Sequence, residues 1–152
     1  MPLKGLGNVR LAIGDLKESA NDNVRAVYFT GLRAIIEQTP RDEGRAINNW
    51  FLTSRQPSTQ TRGKNKAGTA SQKSAATMSR NVLNKTFYFT NNLPYIHVLE
   101  YGGYPTPVKK GTYNKRTKTY EIRSIDGFSR QVAPKGWVRA VVIRMQNAIR
   151  KL

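Results

Sequence analysis

Asn91-Asn92-Leu93-Pro94-Tyr95-Ile96-His97-Val98-Leu99-Glu100-Tyr101-Gly102-Gly103-Tyr104 is the stretch on which the reading of this chain turns. The run before it, Thr86-Phe87-Tyr88-Phe89-Thr90, is aromatic and predicts a strand. Asn91-Asn92 predicts a turn and helix entry, and Pro94 suits the first helical position, where no backbone donor is needed. Ile96 and Leu99 then share one face of a short helix. Gly102-Gly103 ends it, because glycine adopts left-handed backbone without a Cβ clash. Tyr95, Tyr101 and Tyr104 can anchor a contact while keeping a polar tip.

Working outward, Asp15-Leu16-Lys17-Glu18 reads as a capping box. Leu16, Ala20, Val24, Val27, Tyr28, Leu32, Ile35 and Ile36 follow at helical spacing and predict an amphipathic helix from Asp15 to Gln38, ended by Pro40. Its stripe is expected to face the core, with a subunit interface as the alternative. The alternation from Val9 to Ile13 predicts a short strand before it. Ile47 to Thr53, with Trp50, Phe51 and Leu52, predicts another.

From Ser54 to Lys73 there is no aliphatic or aromatic residue larger than alanine, and a mobile basic loop is expected there. A short helix is predicted from Ser74 to Leu83. Val108–Tyr113 and Thr117–Ile125 predict a basic hairpin around Asn114-Lys115-Arg116. Asp126-Gly127 is a turn signal, and Phe128 to Val132 a last strand. Pro134 opens a closing helix with Val138, Val141, Val142, Met145, Ile149 and Leu152 on its apolar stripe. The expected fold is a single α+β domain over 1–152: a long N-terminal helix, a small antiparallel β-sheet with the basic hairpin, and a C-terminal helix.

The chain carries a net charge of +17, and the excess lies entirely after Glu43. Residues 1–43 hold six acids and six bases; no acid occurs from Gly44 to Leu99. Such a field favours anionic partners. The basic stretches lack an apolar insertion face, and no apolar run approaches the length that spans a membrane, so no membrane partner is expected. The N-terminus has no signal-peptide pattern. There is no cysteine, which excludes disulfides and thiolate metal sites.

Catalytic chemistry finds little to work with. After Glu43 only Glu100, Glu121 and Asp126 are acidic, and His97 is the single histidine. His97 and Glu100 could share a helical face, but no nucleophile or second base lies near them in sequence. Gly63-Lys64 lacks the rest of a phosphate-binding loop. No catalytic residue, metal or cofactor is expected.

Three stretches, in order, resemble the small tail-completion (neck, or head–tail joining) proteins of tailed bacteriophages. Asn92…Pro94-Tyr95…Leu99-Glu100-Tyr101-Gly102 is similar to the family's central signature. Thr39-Pro40-Arg41-Asp42-Glu43-Gly44-Arg45-Ala46…Trp50 is similar to the segment after its first helix. Gly136-Trp137-Val138-Arg139-Ala140 is similar to its entry into the C-terminal helix. The resemblance implies a non-enzymatic virion protein, assembled in the host cytoplasm, that forms a ring, usually six-fold, between connector and tail.

On that reading Tyr95, Glu100, Tyr101, Gly102 and Tyr104 make subunit or partner contacts, with Glu100 pairing with an arginine, an adjacent subunit's included. Arg55, Arg62, Lys64, Lys66 and Lys73 of the loop, and Lys109, Lys110, Lys115, Arg116 and Lys118 of the hairpin, form basic arms toward a protein partner or passing DNA. The alternative is a basic nucleic-acid-binding protein that uses the 55–73 loop and the 109–118 hairpin. A metal-independent RNA-cleaving enzyme using Lys, Arg and Tyr is a third reading, which the long helix and polar loop disfavour.

Overall fold

Leu6, Val9, Ile13 and Leu16 recur every three or four residues, so the helical period begins well before Asp15. In the computed structural model, which describes residues 5–102, 112–114, 116, 118–121, 124–125, 128–129 and 136–152, one helix, α1, runs unbroken from Leu6 to Gln38. The strand expected over Val9–Ile13 and the start expected at Asp15 are both corrected. Three alternating residues are a weak period-two signal beside a sustained helical one. The expected core stripe is half right: Leu32, Ile35 and Ile36 are buried, whereas the residues from Gly5 to Ala20 are exposed.

A 3-10 turn (Ile47–Asn49) leads into β1 (Trp50–Thr53), so the predicted strand starts three residues late. β1 pairs antiparallel with β2 (Tyr88–Asn91), placing Trp50 opposite Asn91 and Leu52 opposite Phe89. Trp50 and Phe89, diagonal across the pair, stack at 4.9 Å. α3 (Ile96–Tyr101) follows. Pro94 is not its first residue; it lies in the preceding turn, where the Ile96 N–H donates to Leu93 O.

Further on, β3 (Thr112–Asn114) pairs with β4 (Thr119–Glu121), and β5 (Ser124–Ile125) with β6 (Phe128–Ser129). A hairpin and a strand pair flanking Asp126-Gly127 are present as expected, but Asn114, expected in the turn, belongs to β3, and the strand expected from Thr117 to Ile125 is divided between β4 and β5, which lie in different pairs. Among the described residues these strands form separate two-stranded pairs rather than one sheet. α4 (Val138–Ile149) closes the chain. Pro134, expected to open this helix, lies outside the described residues. Val141 is buried and Met145 packs against the core, but Val142 and Leu152 are exposed, contrary to the predicted stripe. The arrangement is α+β, with α4 lying along the C-terminal half of α1. Met145 of α4 packs directly over Gly31 of α1, in space that a Cβ there would occupy.

The segment expected to be a structureless loop is built differently. Its last residues are helical, in α2 (Thr69–Ala76); the helix expected at Ser74–Leu83 sits earlier. Ser71 and Ser74 of α2 accept from the Trp50 and Leu52 N–H groups, closing the open edge of β1. The rest is held by asparagines. Asn49, wholly buried, donates to Arg45 O and Arg62 O and accepts from the Arg62 N–H. Asn48 donates to Gly63 O, and Asn92 to Ser58 O and Gln60 O. The expectation rested on apolar burial, and here buried amides supply the ordering contacts instead.

Asn49→Ala is expected to remove about 2–3 kcal/mol, because three backbone groups lose a buried partner. In limited trypsinolysis of the free chain, cleavage after Arg62 should be slow beside cleavage after Arg55, and should become comparable in the variant. Equal rates in the parent protein would contradict the assignment.

Candidate functional site

The residues that carry the family resemblance are far apart in sequence and meet around the C-terminal end of α1. Helix ends leave carbonyls without intrahelical partners. The Ile35 carbonyl accepts from Thr39 Oγ1 at 2.7 Å and from the Trp137 indole N–H at 3.0 Å. Thr39 Oγ1 in turn accepts from the Trp50 indole N–H at 2.9 Å. Thr39 and Trp50 belong to the first resembling stretch and Trp137 to the third.

The second stretch joins through Glu100. Its side chain is buried, yet it carries a carboxylate. One oxygen accepts the backbone N–H groups of Trp137 and Val138, both at 2.9 Å. The other accepts the Arg139 N–H and the Arg139 Nε–H, both at 3.0 Å. Arg139 also donates to the Glu100 carbonyl at 3.1 Å. A single carboxylate therefore caps α4 from outside the helix, where the helix dipole also favours negative charge. Burial pushes the Glu100 carboxyl up, but the N–H groups of Arg139, Trp137 and Val138 and the Arg139 side chain outweigh it, holding the pKa below its ordinary value.

Gly136 makes this approach possible. It has φ +77, and a Cβ there would lie 2.3 Å from the Glu100 carbonyl oxygen and 2.6 Å from its carboxylate. Gly102 likewise has positive φ, as its place after a short helix implies. Its φ of 82 and ψ of −162 belong to the extended glycine-only region rather than to left-handed helix.

The other sequence-predicted residues are placed as follows. Tyr95 is half-buried against the core, and burial raises its hydroxyl pKa. Tyr101 is exposed and lies under the Arg139 guanidinium, 4.5 Å from ring centre to cation. Glu100 faces inward, and its arginine belongs to the same chain. Tyr104, Lys109, Lys110 and Lys115 lie outside the described residues. Arg116 and Lys118 are exposed between β3 and β4.

Of the loop cations, Arg55, Lys66 and Lys73 are exposed. Lys64 pairs with Glu43, which lowers the Glu43 pKa. Arg62 is structural: its guanidinium donates to Trp50 O at 3.1 Å and sits 3.8 Å from the Phe51 ring centre. His97 is exposed on α3. Among the described residues, no three His, Asp or Glu side chains gather in a metal-binding group.

Sequence reasoning missed one surface. Leu6, Val9, Ile13 and Leu16, on the first turns of α1, are about half exposed or more. Their three-and-four spacing was the available signal. Comparison with protein-family models, curated proteins and solved structures finds no match.

Glu100→Gln keeps the shape but loses the charge and turns an acceptor into a donor against N–H groups. It is expected to destabilise the fold by about 2–4 kcal/mol, read as a lowered denaturation midpoint at neutral pH. Gly136→Ala should destabilise as well, through both its positive φ and the clash with Glu100. Parent-like midpoints for both variants would contradict the capping geometry.

Proposed function

We propose that the chain is a structural subunit of the head–tail junction of a tailed bacteriophage, a tail-completion or neck protein that acts by geometry rather than catalysis. The observation that carries this reading is the convergence just described. Thr39, Trp50, Glu100, Gly136, Trp137 and Arg139 come from three separate resembling stretches and form one hydrogen-bonded framework at the end of α1. A framework of this kind holds the body to one shape, which a ring subunit needs, since subunit contacts close into a ring only if each body keeps its shape.

In this reading the subunits assemble in the host cytoplasm into a ring, most simply six-fold. They contact the connector on one side and the tail on the other, and the genome passes through. The exposed cations Arg55, Lys66 and Lys73 face neighbouring proteins or the passing DNA without reading its sequence. The nucleic-acid-binding alternative is weakened by Arg62, whose guanidinium is committed to Trp50 and Phe51.

Electron microscopy of the purified chain, combined with a salt titration of duplex DNA binding, tests the reading. Rings together with weak DNA binding are the expected result. Monomers that bind duplex DNA tightly, with a log–log salt slope of about −3 to −4 from the loop cations, would overturn it in favour of a nucleic-acid-binding protein.

A further inference from the structure

The sheet of β1 and β2 has one edge closed and one open. The Trp50 and Leu52 N–H groups donate to Ser71 and Ser74 of α2, both at 2.9 Å, so they point away from β2. Backbone groups alternate sides along a strand, so those of Phe51 and Thr53 face β2, where they meet Thr90 and Tyr88. The same alternation turns the N–H and C=O groups of Phe89 and Asn91 to the far side of β2. Among the described residues nothing bonds to them. The bonds that Asn91 makes there are through its side chain, which donates to Ala46 O and accepts from the Leu93 N–H. Both residues are partly exposed. A row of unpaired backbone groups takes up an extended segment of chain. Tyr88–Asn91 also lacks the charges and prolines that blunt an edge.

The β3–β4 hairpin has the opposite need. Among the described residues β6 rests against α3, whereas β3 and β4 have only each other as a substantial neighbour. Each is three residues long. A hairpin of two short strands is marginal in water and is stabilised by a further strand or by packing on a helix. Its residues favour strand all the same: Thr112, Tyr113, Thr119 and Tyr120 are β-formers, with Tyr113 opposite Tyr120. It is a preformed pair without a third strand, and β2 is a strand without an outer partner.

Charge permits the two to meet. β2 is uncharged, and Glu121 is the one charged residue on β3 and β4, so pairing sets no like charges opposite each other. The cations Arg116 and Lys118 sit in the connection between the two strands, exposed and clear of the paired residues. Within one chain the pairs β1–β2 and β3–β4 are separate, so the hairpin that matches this edge is that of another copy.

We propose that the β3–β4 hairpin of one copy adds to the open edge of β2 in the next, extending the two-stranded sheet to four strands across the contact. The backbone groups of Phe89 and Asn91 carry it. Because hairpin and edge are different surfaces, the contact runs head-to-tail and closes into a ring or continues as a filament. The inference deepens the ring-subunit reading, on which closure into a ring rests.

The test is amide hydrogen exchange of the full chain, read residue by residue, at one concentration where sedimentation finds monomers and one where it finds assemblies. Moderate salt screens the repulsion between chains of +17. In the monomer the Phe89 and Asn91 amides should exchange fast and that of Thr90, bonded to β1, slowly. On assembly Phe89 and Asn91 should become protected together with residues of β3 or β4. Tyr120→Pro removes a ladder N–H at the centre of the hairpin. It should weaken assembly by about tenfold or more and leave the melting of the body unchanged. Thr90→Cys and Tyr113→Cys chains, each with no other cysteine, should form a mixed disulfide dimer in preference to either dimer with itself. Edge amides protected in the monomer, or still fast in the assembly, would overturn the proposal. So would a strictly monomeric parent, a Tyr120→Pro variant that assembles like the parent, or a Thr90→Cys chain that links chiefly to itself. Rings whose edge amides stay unprotected would overturn this contact and leave the head–tail reading standing. Edge protection on assembly, in a chain that never incorporates into phage particles, would uphold the contact and overturn that reading.

Discussion

A buried charge holds this fold closed. Moving a carboxylate out of water costs several kcal/mol unless its lone pairs are met. Glu100 meets that cost with three backbone N–H groups and one guanidinium N–H, all at 2.9–3.0 Å. Those backbone groups are the first donors of α4, which the helix cannot satisfy itself. The pairing solves two problems at once: an anion without solvent and a helix start without acceptors. Gly136 is required because the approach leaves no room for a Cβ.

The consequences run along the chain. With its entry fixed, α4 presents Trp137 to the end of α1 and Met145 to Gly31. Trp137 shares the Ile35 carbonyl with Thr39, which anchors Trp50 and so β1. Trp50 stacks on Phe89 of β2, and β2 leads back through Asn91 and Asn92 to α3 and Glu100. The loop is closed, and it holds the C-terminal half of α1 in the core while the first turns of the helix are exposed.

The legible parts of the sequence were those governed by local rules. The helical stripe from Val24 to Ile36, the aromatic strand, the stop at Gly102 and the strands around Asp126-Gly127 all follow from periodicity or turn chemistry. What stayed hidden depends on contacts between distant residues. Composition marked Ser54–Lys73 as unable to order itself, because it lacks apolar residues. Its backbone is met instead by Asn48, Asn49 and Asn92, of which the first two were read only as part of a strand and the third only as a turn residue. Glu100 was legible as an arginine partner but not as a helix cap, since the N–H groups that donate to it lie 37–39 residues away. The first turns of α1 were misread for a simpler reason: Gly7 and Gly14 lower helix propensity, and the alternation of Val9, Leu11 and Ile13 disguised the longer period.

The most direct measurement is the titration of the Glu100 carboxyl by carbon-13 NMR, followed together with the amide protons of Trp137, Val138 and Arg139. A carboxyl whose pKa is lowered by folding contributes stability that is present above its unfolded pKa and is lost as pH falls through the folded one. The account predicts a Glu100 midpoint below the ordinary glutamate value of about 4.3, with the three amides shifting at that same midpoint as α4 loses its cap. A midpoint at or above the ordinary value, or amides indifferent to the protonation of Glu100, would contradict it.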